Sequence, residues 1–273
     1  MATDRKPDTR VPPKRGTDEL AMEERRRRIR ALVEEREHVS VAELATHFGK
    51  SAVTIRADLA ALEGIGVLLR THGGALATRD SDDVPLSIKQ TQHHAEKVRI
   101  AEAAVKLIEN GDIVVLDSGT TTAEIARRIR GLRLGALTVI TNALNIAVLL
   151  ADVPHLRLIM PGGELRPKSH SLSGPHAEAA LAGLQADRLF LGVDSLDPEV
   201  GLMTPHLQEA QLNAQMIRIA RQVIAVTDSS KLLRRNLSVI APLDRVDLLI
   251  TDRKADAKCI KAIKARGIAV QLV

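Results

Sequence analysis

Apolar positions recur at helical spacing from Leu20 to Arg36, where Met22, Ile29, Leu32 and Val33 share one side. A shorter pattern over Val41–His47 puts Val41, Leu44 and Ala45 on one face, and Gly49, tolerant of positive φ, ends it. Ser51 is a good N-cap for a third helix, Ala52–Glu63, with the stripe Ile55, Leu59 and Leu62. Val67–Arg70 reads as a strand, Thr71–Gly74 as a turn and Ala75–Leu76 as a returning strand. Two short helices joined by a glycine turn and followed by a hairpin predict a winged helix-turn-helix, whose second helix is shaped for the major groove.

The pattern then changes. Thr78–Ser87 is polar and acidic with Pro85, as a linker would be, and residues 1–18 are proline- and charge-rich and predict a disordered tail. One long helix is expected from Ser87 to Glu109, through Ile88, Val98, Ala101, Val105 and Ile108, closing at Asn110-Gly111. Beyond it, continuous apolar runs alternate with helical patterns. Strands are predicted at 113–117, 138–141, 156–160, 189–193, 223–227, 248–251 and 268–272. Helices are predicted at 122–129, 142–150, 176–183, 208–219 and 258–266. Runs without alternation imply strands covered on both faces, hence a mostly parallel α/β sheet. The expected organisation is a tail (1–18), a winged helix-turn-helix domain (19–77), a linker (78–87) and an α/β domain (88–273).

Composition narrows the classes. Two phenylalanines, Phe48 and Phe190, stand with no Trp or Tyr, so the cores must be aliphatic and base stacking on single strands is not the expected binding mode. One cysteine, Cys259, permits no intrachain disulfide and suits a reducing cytoplasm; its plain reading is a small apolar residue on the last helix. No apolar run approaches the roughly 20 residues that span a bilayer, and the first 18 residues lack a signal-peptide core. The expectation is a soluble cytoplasmic protein. Net charge is +5, and residues 1–80 carry 15 Lys and Arg against 13 Asp and Glu, so the excess is not gathered at that end. What is concentrated is the run Arg25, Arg26, Arg27, Arg28 and Arg30, either a solvated helix face or a set of contacts to the backbone of duplex DNA.

In parallel sheets ligands bind beyond the carboxyl ends of the strands. Asp117-Ser118-Gly119-Thr120-Thr121-Thr122 lies at such an end, with hydroxyls and free N–H groups converging on a helix start. It reads equally as a phosphate-sized anion site and as simple threonine capping. Thr141-Asn142, Gly162-Gly163-Glu164, Gly192-Val193-Asp194 and Asp228-Ser229-Ser230-Lys231 occupy the corresponding ends of other strands. Lys231 is the cation best placed for an anionic ligand.

Thr-Ile-Arg-x-Asp-Leu (54–59), followed by Leu-Leu-Arg-x-His-Gly-Gly-Ala (68–75), resembles the DNA-binding signature of the DeoR family of bacterial transcription regulators. Lys50 and Ala57 depart from that signature, where an apolar and a second basic residue are usual. Ser-Gly-Thr-Thr, Ile-Thr-Asn, Pro-Gly-Gly, Gly-Val-Asp, Glu-Ala and Asp-Ser-Ser-Lys then follow in the order of the same family's sensor domain, with Ser195 where glycine is frequent. The resemblance covers about Glu24 to Asp252. It implies a domain similar in fold to ribose-5-phosphate isomerase, which binds phosphorylated sugars, and a repressor released from operator DNA by its sugar phosphate. Gly-Leu-Met-Thr-Pro-His-Leu-Gln-Glu-Ala-Gln-Leu-Asn (201–213) is similar to the branch controlling N-acetylgalactosamine and galactosamine use, which implies an amino-sugar phosphate.

The candidate DNA contacts are thus Arg25, Arg28, Ser40, Ser51, Thr54, Arg56, Arg70 and His72. The candidate ligand contacts are Asp117, Ser118, Gly119, Thr120, Thr121, Asn142, Gly163, Asp194, Glu209 and Lys231. No catalytic residue, metal site or cofactor is assigned, since no His-Glu-x-x-His pair, phosphate loop, dinucleotide fingerprint or Gly-x-Ser-x-Gly elbow occurs. The alternative is a sugar-phosphate isomerase with an accessory DNA-binding module, in which Asp117, Asp194, Glu209 and Lys231 would supply base and enediolate stabilisation. A homo-oligomer is expected, because paired reading heads match paired half-sites.

Overall fold

The computed structural model of the protein describes residues 15–36, 38–64, 68–71, 73–77 and 86–273. They fall into two units, divided after Ser81. The expected tail as far as residue 14, linker residues 78–85 and His72 lie outside the described residues.

The first unit holds α1 (Arg15–Arg36), β1 (His38–Ser40), α2 (Val41–Phe48), α3 (Ala52–Gly64), β2 (Leu68–Arg70) and β3 (Gly74–Ala77). The first helix therefore begins inside the stretch 1–18 expected to be a tail. α2 opens with a capping box: the Glu43 N–H donates to Ser40 Oγ at 3.1 Å, and the Ser40 N–H to Glu43 Oε2 at 2.7 Å. Gly49, at φ +59°, ends it in the left-handed conformation that favours glycine. Ser51 caps α3 by accepting from the Thr54 N–H at 3.2 Å. Ile29, Val33, Leu44, Ile55, Leu59 and Leu62 meet in an aliphatic core, each contributing on the order of 1.5–3 kcal/mol by burial. The wing has a third strand. β1 pairs antiparallel with β3, giving the order β1-β3-β2, and three residues are too few to show an alternating pattern.

The second unit begins with α4 (Leu86–Thr91) and α5 (His94–Val105) where a single helix was expected. The break is at His93, whose φ is +50°. Lys97 explains it: its buried Nζ donates to the carbonyls of Lys89 at 2.5 Å and Gln92 at 2.7 Å, satisfying groups that a continuous helix would have bonded internally. There follow β4 (Ile113–Leu116), α6 (Thr120–Ile129), β5 (Leu137–Thr141), α7 (Leu144–Leu150), β6 (Leu156–Ile159), β7 (Glu164–Arg166), β8 (Ser171–Ser173), α8 (Pro175–Leu181), β9 (Ala186–Gly192), β10 (Ser195–Asp197), β11 (Gly201–Thr204), α9 (Leu207–Ile219), β12 (Ala220–Val226), β13 (Ser238–Ala241), β14 (Leu248–Thr251), α10 (Ala257–Ala265) and β15 (Ala269–Leu272).

Seven strands form one parallel sheet in the order β15-β14-β12-β9-β4-β5-β6. Consecutive residues of its strands serve opposite cores. Val115, Leu189, Leu191, Ala225 and Leu249 pack with α8, α9 and α10, whereas Val114, Leu116, Phe190, Ile224 and Ile250 pack with α5, α6 and α7. This is why the strands read as unbroken apolar runs. Two smaller antiparallel units, β7-β8 and β10-β11-β13, were not expected; their strands of three or four residues carry no legible period.

Strand order fixes the place of the site. From β4 the chain builds outward through β5 and β6, then returns beside β4 with β9 and builds the other way through β12, β14 and β15. The order reverses between β4 and β9. The crevice at their carboxyl ends is the topological switch point, where open α/β sheets bind ligands.

Candidate functional site

The reading head is organised by a buried acid that its sequence carries in plain view. Asp58, on α3 and 2% exposed, accepts from Arg25 Nε at 2.6 Å and from Arg26 Nε at 3.0 Å. A carboxylate this buried needs such partners. Arg25, a candidate DNA contact, is therefore engaged in holding α1 to α3. Arg27 and Arg28 are exposed and each reach Glu24 at 2.8 Å, pairs that solvent weakens and phosphate can displace.

Ser40 and Ser51 act here as N-caps, and Ser51 Oγ also lies 2.9 Å from Thr54 Oγ1. Arg56 is exposed on α3, flanking the buried stripe of Ile55 and Leu59. The Arg70 N–H donates to Glu63 Oε1 at 3.1 Å, and its guanidinium lies 3.8 Å from the same carboxylate, tying wing to helix.

At the switch point of the second unit, Asp117 directly follows β4, is 1% exposed and accepts from the Gly192 N–H at the end of β9, 3.0 Å away. Burial, above all, and the nearby charges of Glu209 and Asp194 push its carboxyl well above the usual carboxylate range, favouring the neutral form. Thr122 Oγ1 donates to the Gly119 carbonyl at 3.1 Å and closes the start of α6. Among the described residues, the hydroxyls of Ser118, Thr120 and Thr121 show no such internal bond. The capping reading thus holds for Thr122.

Asn142, at the end of β5, is 1% exposed; its Nδ2 donates to the Leu172 carbonyl at 3.0 Å while Oδ1 has no partner. Gly163 stands apart from the polar cluster in its role. At φ +110°, a Cβ there would lie 2.5 Å from the Ser173 carbonyl oxygen, so only glycine lets the strands of the β7-β8 hairpin close.

Asp194, Glu209 and Lys231 do converge, and the structure adds partners to them. Asp194 Oδ1 accepts from Lys89 Nζ at 3.2 Å and Oδ2 from Thr204 Oγ1 at 3.3 Å. Burial works upward on its carboxyl, but the charges of Lys89 and Lys231 and these hydrogen bonds hold it below the usual range. Glu209, on α9, accepts from Arg166 at 3.0 Å, and Arg166 also lies 2.7 Å from His206 Nε2. Burial first, then the charge of Asp194, raises Glu209 to about 7. Burial likewise lowers Lys231, and lowers Lys97 to about 8.

Lys89, Lys97, Arg166, Thr204 and His206 escaped the sequence reading. A lysine in a helical pattern looks like a solvated face, and Arg166 sits in a polar loop like any other. Asp58 did have a signal, the Arg-x-Asp-Leu at 56–59.

The crevice therefore gathers four basic side chains around acids of which two favour or approach the neutral form, beside a helix start with unused donors. Among the described residues no group of His, Cys, Asp or Glu is arranged to hold a metal, and no helix is long and apolar enough to cross a membrane.

Comparison with known proteins agrees with both halves. Residues 25–80 match the DeoR-like helix-turn-helix domain, and residues 92–253 match the DeoR C-terminal sensor domain. The chain is 40% identical, over 92% of its length and 93% of the other's, to a protein of Escherichia coli O157:H7 described as a candidate aga operon transcriptional repressor. It is 38% identical to the regulator GlpR of Haloferax volcanii, over 90% of this chain and 96% of that one. Ribose 5-phosphate isomerase A of Methanocaldococcus jannaschii is a partial structural likeness, with a TM-score of 0.38 and 21% identity over 52% of this chain and 56% of that one. The chain belongs to the DeoR family of transcription regulators, with a helix-turn-helix reading head and an α/β sensor domain.

Proposed function

We propose that the protein is a cytoplasmic, homo-oligomeric repressor of a carbohydrate operon, released from its operator when a phosphorylated sugar occupies the crevice between the ends of β4 and β9. The observation that carries this reading is the pairing, at the switch point, of unused hydroxyl and N–H donors at residues 118–121 with Lys89, Lys97, Lys231 and Arg166. A phosphate monoester brings up to two charges and three acceptor oxygens, which this set matches. The relative described as an aga operon repressor favours an amino-sugar phosphate. An isomerase is disfavoured, since residues 25–80 match a DNA-binding domain and relatives matched over at least 90% of the chain are named transcriptional regulators.

A thermal-shift panel of pentose, hexose and amino-sugar phosphates tests the reading. One of them, at about 100 times its dissociation constant, should stabilise the full-length protein by about 2.7 kcal/mol. The same sugar without phosphate should give no shift at that concentration. Equal shifts from both forms would discard the phosphate site.

A further inference from the structure

α4 is the first described element after residues 78–85, the stretch that joins the reading head to the sensor unit. Three polar attachments tie it to the crevice. At its start the Leu86 N–H donates to the Lys168 carbonyl, 2.9 Å away, between β7 and β8. In its middle Lys89 Nζ bonds Asp194. At its end the carbonyls of Lys89 and Gln92 are held by Lys97 Nζ. A helix of six residues has little stability of its own, so its position follows these attachments together with the burial of Leu86.

Of the three, the Lys89–Asp194 pair is the one a ligand would contest. The side chains are 28% and 24% exposed, half-buried at the open side of the crevice. Lys231 already serves Asp194 as a second positive neighbour, so that carboxylate keeps a counter-charge if Lys89 leaves. A phosphate carries more charge and more acceptor oxygens than one carboxylate, and attracts an ammonium more strongly.

Resting on the effector reading above, we propose that Lys89 is a ligand-responsive latch. A sugar phosphate in the crevice draws the Lys89 ammonium from Asp194, and α4 shifts with it, carrying the signal into the chain that leads to the reading head. Lys89 is then both a phosphate contact and the residue that converts occupancy into movement. A ligand shifts an equilibrium only through contacts that differ between the two states, and this exchange of partners supplies one.

The test compares wild type, Lys89→Met and Lys89→Arg as full-length proteins, with galactosamine 6-phosphate and N-acetylgalactosamine 6-phosphate as probes. Two quantities are measured: binding of the sugar phosphate by calorimetry, and the ratio of operator dissociation constants with and without saturating sugar phosphate. Taking the ratio within each protein removes any change in operator affinity itself. In wild type it should lie in the range of about 5- to 150-fold. Lys89→Met should bind the sugar phosphate roughly tenfold more weakly and, even at saturation, show a ratio within about threefold of one. Lys89→Arg, which keeps the charge, should recover most of the ratio. An unchanged ratio in saturated Lys89→Met overturns the latch while leaving the effector reading intact. Failure of wild type to bind either probe or any other sugar phosphate of the thermal-shift panel overturns both together.

Discussion

Thr120→Val combined with Thr121→Val weakens the sugar phosphate by about a hundredfold or more and leaves the protein able to bind its operator. Valine keeps the shape of threonine and deletes one hydroxyl, so the start of α6 and the core beneath it are preserved; Thr121 is 93% buried among them, and Thr122, which makes the capping bond to Gly119, is untouched. Each charge-assisted hydrogen bond to a phosphate contributes about 1.5–3 kcal/mol, so losing two reaches that factor. The thermal stabilisation of about 2.7 kcal/mol expected of wild type at 100 times its dissociation constant should therefore almost vanish at the same concentration. Calorimetric titration checks the affinity directly. A double variant that binds the sugar phosphate as tightly as wild type would show that residues 120 and 121 only start a helix, and that the anion sits elsewhere.

Arg25→Met combined with Arg26→Met unfolds the reading head. Both guanidinium groups are anchored on Asp58, which is 2% exposed and has no other cation partner among the described residues. Stranding a buried carboxylate costs about 3–5 kcal/mol, which is comparable with all that a core of this size supplies. Hydrogen exchange on the full-length variant should show loss of protection across α2 and α3 with the sensor unit unaffected. Arg56→Ala is the contrast. Arg56 is exposed, so its removal should leave protection unchanged and weaken operator binding by about 1–3 kcal/mol, the worth of one base contact. Normal protection in the Arg25/Arg26 variant, with weakened binding to DNA, would mean that these arginines serve phosphates and that the Asp58 contact is incidental.

The difference between these two sets of arginines marks how far the sequence could be read. The helix-turn-helix was legible because Ile55, Leu59 and Leu62 keep a helical period and Ser51 and Gly49 punctuate it. The parallel sheet was legible because burial on both faces leaves unbroken apolar runs such as 113–116 and 248–251. Periodicity says which face of a helix is buried, but not which acid waits there. The arginine run therefore read as one surface, whereas burial of Asp58 divides Arg25 and Arg26 from Arg27 and Arg28.

The site shows the same limit. Candidates at strand ends follow from topology, and Asp117, Asp194, Glu209 and Lys231 do meet there. Lys89 reaches Asp194 from α4, which the break at His93 separates from the expected single helix, and Lys97 on α5 bonds the carbonyls at that break. That break goes with side-chain hydrogen bonds from Lys97 to carbonyls five and eight residues before it, which apolar periodicity does not encode. β1 and the β7-β8 hairpin were missed for a simpler reason, since three-residue strands carry no period.

Release of operator DNA tests the central claim most directly. Wild-type protein is bound to a labelled operator selected from random duplexes, and the complex is titrated with galactosamine 6-phosphate and, separately, with galactosamine, followed by fluorescence anisotropy. A phosphate held by two or more charge-assisted hydrogen bonds predicts that the phosphorylated sugar releases the DNA at a concentration at least about a hundredfold lower than the free sugar. Release by both forms at the same concentration would contradict the account.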